Sequence, residues 1–228
     1  MAVPGTTGRP GLRPPLTLRH AAPMTTARTY LIVDTETTDL LEPDGVNPRL
    51  ISLAWGLYDA WGRRLDEQYH LVKPVGFVIP EDNGAFRKHR ITNARALRDG
   101  RPRAAVLAPF LTALRGAHAV VAHNLDFDRE IIRREVAPRY RPAVAAARGW
   151  CTMELADMAD VPTPGAPRWM RSLSYLHEWA FDEELRPRGG AHDALDDMRA
   201  CARLFFAFRP TGFGLLAPET NRLEPAAA

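Results

Sequence analysis

The stretch that decides the fold is Thr29-Tyr30-Leu31-Ile32-Val33-Asp34-Thr35-Glu36-Thr37-Thr38. Tyr30–Val33 is a short, β-rich apolar run that reads as a buried strand, and it ends in acid. Residues two apart on a strand point to the same side, so Asp34 and Glu36 converge while Thr35 faces away. Two carboxylates at the end of an apolar strand are costly unless a cation sits between them. A hard divalent ion prefers such oxygens. Taken alone, the pair also reads as acids that end a strand because a loop begins.

Working outward, Leu50–Tyr58 and Leu65–Val72 read as two further strands, joined through the turn-prone Asp59–Arg63. Residues 39–48 form a Pro/Gly/Asn/Asp loop. Helices are expected at 93–99 and at 104–115, the second kinked at Pro109. Ala119–Ala122 is a short apolar strand. Asp126–Val136 is a helix that Asn124 or Asp126 could cap. A brief strand around Trp150, a helix from Thr152, a loop over Pro162–Pro167, a helix over Ser172–Trp179, a glycine hinge at Gly189–Gly190 and a helix over 192–208 complete the pattern. Strands in a block, then strands alternating with helices, argue a single α/β domain with a mixed sheet over 28–210. Residues 1–27, rich in Pro, Gly, Thr and Arg, and 211–228 read as disordered tails. Met24 could be a second start site.

Composition narrows the class. Apolar residues make up 46% of the 228, enough for a sizeable core. No run is long and apolar enough to span a membrane. The prolines near the start break the amphipathic helix that a transit peptide would need. Cys151 and Cys201 show no paired spacing, which argues against a disulfide framework or a zinc site and points to a reducing cytoplasm. The net charge of +3 hides segregation: residues 34–44 hold five acids and no base, 87–103 seven bases and one acid, 129–148 six arginines and two glutamates. Each basic run alone reads as a solvated helix face. An acidic pocket with basic flanks is also what a metal site acting on a polyanion needs.

Two more segments carry acids. His123-Asn124-Leu125-Asp126-Phe127-Asp128 follows a strand and opens a helix, where ligand sites of α/β sheets gather. His192-Asp193-Ala194-Leu195-Asp196-Asp197 opens the last helix, with Asp193 and Asp197 on one face. Singly, each reads as a helix cap with first-turn acids.

Together the three segments resemble the DEDDh 3′–5′ exonucleases, the family of the bacterial polymerase proofreading subunit. Asp-x-Glu-Thr-Thr matches Asp34, Glu36, Thr37 and Thr38. His-Asn-x-x-Phe-Asp matches His123 to Asp128, and His-x-Ala-x-x-Asp matches His192, Ala194 and Asp197. Softer matches are His89-Arg90-Ile91-Thr92, where the family often has His-Gly-Ile-Thr, and Cys151-Thr152. Asp39 and Arg90 stand where glycine is common. The resemblance implies a ribonuclease H-like fold. It implies that Asp34, Glu36, Asp128 and Asp197 hold two divalent ions roughly 3.5–4 Å apart, Mg²⁺ with Mn²⁺ as substitute. It makes His192 the general base, with a pKa that nearby carboxylates should raise. Thr37, Thr38, Ile91, His123 and Asn124 become substrate-binding candidates. Asp126, Asp193 and Asp196 read as spare acids. The substrate is the 3′ end of a single strand, with DNA favoured because Thr37 stands where oligoribonucleases usually carry Met, and a DNA polymerase is a candidate partner. The alternatives are an oligoribonuclease-like RNA-trimming enzyme and, from another class, an inactive nucleic-acid-binding or polymerase-docking module. Asp193, four before Asp197, disfavours the tyrosine-based variant of the superfamily.

Overall fold

A computed structural model describes residues 28–40, 47–159, 161, 171–187 and 190–209. The two expected tails, most of the 39–48 loop, the Pro162–Pro167 loop and Gly189 lie outside the described residues. Five strands form one mixed sheet in the order β3-β2-β1-β4-β5. β1 (Thr29–Thr37), β2 (Leu50–Asp59) and β3 (Arg64–Leu71) run as an antiparallel meander. β4 (Ala119–Ala122) and β5 (Gly149–Cys151) add on in parallel.

Alternation along β1 sends its side chains into two cores. Tyr30 and Ile32 pack with Met198, Cys201 and Phe205 of α8 (Ala194–Phe208), alongside α6 (Thr152–Met158) and α7 (Leu173–Phe181). The rings of Tyr30 and Phe205 lie 4.9 Å apart. Leu31 and Val33 pack against α3 (Arg103–Gly116), α4 (Leu125–Glu135) and α5 (Arg141–Ala145). Fully burying each such side chain contributes on the order of 1.5–3 kcal/mol, so both helical layers are fixed to the central strand. A third, smaller cluster of Ile51, Leu71, Ile79, Ile91 and Ala96 seats α2 (Asn93–Asp99) at the sheet's end, just after α1 (Gly84–His89).

The pairing of β1 creates the opening that matters. β1 pairs with β2 along its whole length, with a bulge between Glu36 and Thr37. Its pairing with β4 stops at Ile32. Asp34 to Thr37 therefore extend past their parallel neighbour, and the start of α4 fills the step.

Several local expectations need correction. α1 was not anticipated, because its signal is one cap: Asn83 accepts a hydrogen bond from the Phe86 amide. The 3₁₀ turn Pro138–Tyr140 and α5 were also not anticipated. α8 starts at Ala194 rather than 192, because the Asp193 side chain caps it by accepting from the Leu195 amide. Asn124 does not cap α4 through its side chain. It takes the left-handed conformation (φ 73°) and makes the tight turn from β4 into the helix.

Gly149 lets β5 approach α4. A Cβ there would lie 2.2 Å from Leu125 Cδ2 and 2.3 Å from Arg129 Nη2, two buried groups. Gly149→Ala is expected to destabilise the fold by about 1–3 kcal/mol through overpacking, read as a lower urea midpoint. An unchanged midpoint would show that α4 yields freely.

Candidate active site

Asp34 and Glu36 continue the face of β1 that carries Tyr30 and Ile32, so they project toward α8. Thr35 continues the opposite face, toward α4. There its hydroxyl donates to Asp128 Oδ1 at 2.7 Å. Asp128 lies in the first turn of α4 and is 2% exposed. Thr35 thus draws the Asp128 carboxylate to the strand end from the far layer. Asp197, 5% exposed, sits in the first turn of α8. Three elements on both faces of the sheet bring acids to one crevice, beside the carboxyl ends of parallel strands.

His192 joins this crevice through an extended segment ahead of α8. Its backbone amide donates to the Lys88 carbonyl at 2.9 Å, which docks the segment on α1. Its Nδ1 lies 3.1 Å from Asp197 Oδ2. Ligand atoms of Glu36, His192 and Asp197 fall within 4.8 Å of one another. Asp34 and Asp128 lie outside that tight set but close enough for their charges to oppose. Arg186, from the loop before α8, enters the same space: it is ion-paired with Asp197, and its positive charge acts on Asp34, Glu36, Asp193 and Asp196.

The electrostatics follow from this crowding. Burial, then the charges of Asp128 and Glu36, hold the Asp34 carboxyl well above its ordinary range. Burial, then Asp193, pushes Glu36 up to about 7. Burial pushes Asp128 up to about 7 against the opposing pull of the Thr35 hydrogen bonds. Arg186 offsets part of the repulsion on Asp34 and Glu36. For His192 the expectation is overturned: burial, then Arg186, Lys88 and His89, lowers its pKa to about 4. The imidazole is neutral at physiological pH.

The other candidates divide. Thr37 donates its hydroxyl to the Asp39 carbonyl at 2.6 Å. The Thr38 hydroxyl accepts from the Arg49 amide at 2.9 Å, and the Asn83 amide donates to the Thr38 carbonyl at 2.7 Å. Both threonines shape the rim of the crevice. His123 packs beside it, its Nδ1 2.8 Å from Thr152 Oγ1, and burial lowers its pKa to about 4. Ile91 is 3% exposed, and its side chain packs in the third core cluster. Arg90 has φ 53°, the left-handed region that favours glycine. Asp126 and Asp196 are exposed and pair with Arg129 and Arg199, whereas Asp193 faces Glu36.

Sequence reasoning missed Thr35, Lys88 and Arg186. Thr35 was legible as the residue opposite the acid pair. Arg186 had one weak signal, namely that four converging acids require a cation and it precedes the last of them.

Stability should report the crowding. Carboxylates with raised pKa favour the folded state at low pH, and that contribution is lost as pH rises through their folded values near 7. The buried histidines act oppositely and over an overlapping range, because the unfolded chain still holds part of their protons near pH 6.5. The comparison that isolates a carboxylate is therefore the metal-free native protein against Glu36→Gln, in which the histidine contributions cancel. The variant is expected to gain melting temperature relative to the native protein between about pH 5.5 and about pH 8, as Glu36 ionises in the native protein alone. A constant difference across that range would mean that Glu36 is not crowded.

No family model and no curated protein matches the chain. Solved structures do. A product-bound exonuclease I is similar at 20% identity, with a TM-score of 0.61 over 78% of this chain and 42% of that one. Escherichia coli exonuclease I with a dT13 oligonucleotide gives 20% identity and 0.61, over 78% and 40%. Its zinc-bound complex with single-stranded DNA gives 20% and 0.60, over 79% and 40%. The chain spans about two fifths of the length of these proteins. The likeness shows the fold: a mixed five-stranded sheet with helices on both faces, of the ribonuclease H-like kind.

Proposed function

We propose that the protein is a metal-dependent 3′→5′ exonuclease that hydrolyses the terminal phosphodiester of single-stranded DNA and releases nucleoside monophosphates. The observation that carries this reading is the convergence of Asp34, Glu36, Asp128 and Asp197 at the end of β1, with His192 held on Asp197. Binding modules of this fold have no need of four mutually repelling acids. The resemblance of the three sequence segments and the oligonucleotide complexes of exonuclease I support the same reading.

The acid crevice fits divalent ions on its own terms. Its donors are mostly hard oxygens, which suit Mg²⁺ or Mn²⁺. Its carboxyls are held up by burial and, at Asp34 and Glu36, by neighbouring negative charge that Arg186 offsets only in part. Asp34, Glu36, Asp128 and Asp197 would hold the ions, which supply electrostatic stabilisation to a phosphoryl group and a more acidic water. Thr35 keeps Asp128 aimed into the crevice. His192 is unprotonated, as a general base must be, while burial and Arg186 weaken its basicity; Asp197 and the Lys88 carbonyl fix its position. Thr37, Thr38, His123 and Asn124 shape the walls around a terminal nucleotide. A DNA polymerase as partner is part of the same reading, on the resemblance alone.

Asp34→Ala should nearly abolish cleavage of 5′-labelled single-stranded DNA with Mg²⁺ while leaving the circular dichroism spectrum unchanged. Turnover within tenfold of the native protein would sink the assignment. The native protein should give a ladder shortened from the 3′ end, and faster trimming of matched RNA would move the reading to the oligoribonuclease type.

His192→Ala should lose about 10²–10⁴-fold in turnover, the usual worth of a positioned base, with strand binding retained. Single-turnover cleavage at saturating Mg²⁺ as fast as the native rate would remove His192 from that role.

A further inference from the structure

Beyond the acids, α3 faces the end of α4, the following 3₁₀ turn and the start of α5 across a groove of about 650 Å³. Its walls carry Arg103, Arg115, Arg134, Arg139 and Arg141, all exposed, around Tyr140. Its floor includes the buried Leu107 and Leu111. The charge is only partly matched. Arg103 shares the buried Glu135 with Arg49, at 2.6 and 2.7 Å, and Arg134 pairs with Glu130. Arg115, Arg139 and Arg141 meet no carboxylate among the described residues. Arg115 and Arg139 instead lie 5.3 and 4.7 Å from the Tyr140 ring. Three arginines of the basic run 129–148, which alone would be a solvated helix face, fold here into one wall of a concave site: Arg134, Arg139 and Arg141.

The groove is also joined to the crevice. Thr38 and Arg49 exchange two hydrogen bonds of 2.9 Å, one from each backbone amide. Arg49 binds Glu135, and Glu135 binds Arg103 in the groove wall. Asp128 and Glu135 are seven residues apart on α4, about 10 Å along its axis. A strand with its 3′ end at the acids would therefore meet the groove a few nucleotides upstream.

We infer that this arginine groove is a second binding site for single-stranded nucleic acid, in which Arg115, Arg139 and Arg141 hold the phosphates of the upstream strand and the Tyr140 ring with the guanidiniums stacked on it gives a planar surface for a base. The inference rests on the nuclease reading for its direction along the strand. A polyanion with planar bases suits guanidinium groups that have no carboxylate partner and stand beside an aromatic ring, the combination by which single strands are held without sequence preference.

The test compares the native protein with an Arg115→Gln/Arg139→Gln/Arg141→Gln variant, all three positions being exposed. Binding of oligo-dT of about 3 and about 12 nucleotides, below and within the usual site sizes, is measured with a chelator present and across a salt series. The variant should lose roughly tenfold or more in affinity for the long strand. Its salt slope should flatten by about 2, from ~0.7 for each phosphate contact removed. Binding and cleavage of the short strand should not change. An unchanged affinity for the long strand would overturn the groove proposal while leaving the nuclease reading intact. Arginine-dependent binding of the long strand by a native protein that cuts neither length would remove the nuclease reading and leave the groove. Binding of an Asp/Glu-rich peptide that the variant loses, with the long strand unaffected, would assign the groove to a protein partner and overturn the proposal.

Discussion

Mutual repulsion among carboxylates at the end of β1 is the constraint around which the rest of the molecule is arranged. Asp34, Glu36 and Asp128 stand in a half-enclosed space where burial and like charge both oppose ionisation. Such a cluster is unfavourable for folding, so it persists only where the scaffold over-determines it. Here the scaffold is two cores clamped on one strand. Tyr30 and Ile32 fix the α8 layer, and Leu31 and Val33 fix the α3–α4 layer. Side chains two and four residues further along the same strand then have no freedom to part.

The strand's pairing supplies the opening as well as the clamp. A parallel neighbour as long as β1 would seal its edge with hydrogen bonds and leave no entry for Asp128. Because β4 is short and Asn124 turns sharply, α4 begins level with Thr35, and one hydroxyl fixes its acid. Asn83 has a parallel role on the other side, tying α1 to the Thr38 carbonyl. The Lys88 carbonyl of α1 then receives His192. Short polar links, rather than apolar packing, set the rim of the crevice.

This division explains what was legible in the sequence. The strands and long helices follow from hydrophobic period, and the acid segments from their position at element ends. A mixed sheet was implied by the order of those elements, but not which strands pair or in which sense. The short helix over Gly84–His89 was not legible, because six residues give no period and one asparagine cap is a faint signal. Ile91 was read as a nucleotide contact from its segment alone, and its burial in the third cluster was not legible there. His192 read as a histidine raised by acids. Its true surroundings include Arg186, Lys88 and His89, contributed by segments that no local pattern links to it.

Arg186 bears on how any ion titration of this protein would be interpreted. Its guanidinium is tethered eleven residues before Asp197 and already lies among the acids. A tethered group presents itself at an effective concentration on the order of millimolar, whatever the dilution of the protein. An ion entering the crevice therefore exchanges with an internal competitor instead of filling an open cage. The apparent dissociation constant is then the intrinsic one divided by the fraction of molecules in which the arginine has swung away. Weak ion binding in solution would thus measure the hold of that loop as much as the quality of the carboxylate ligands.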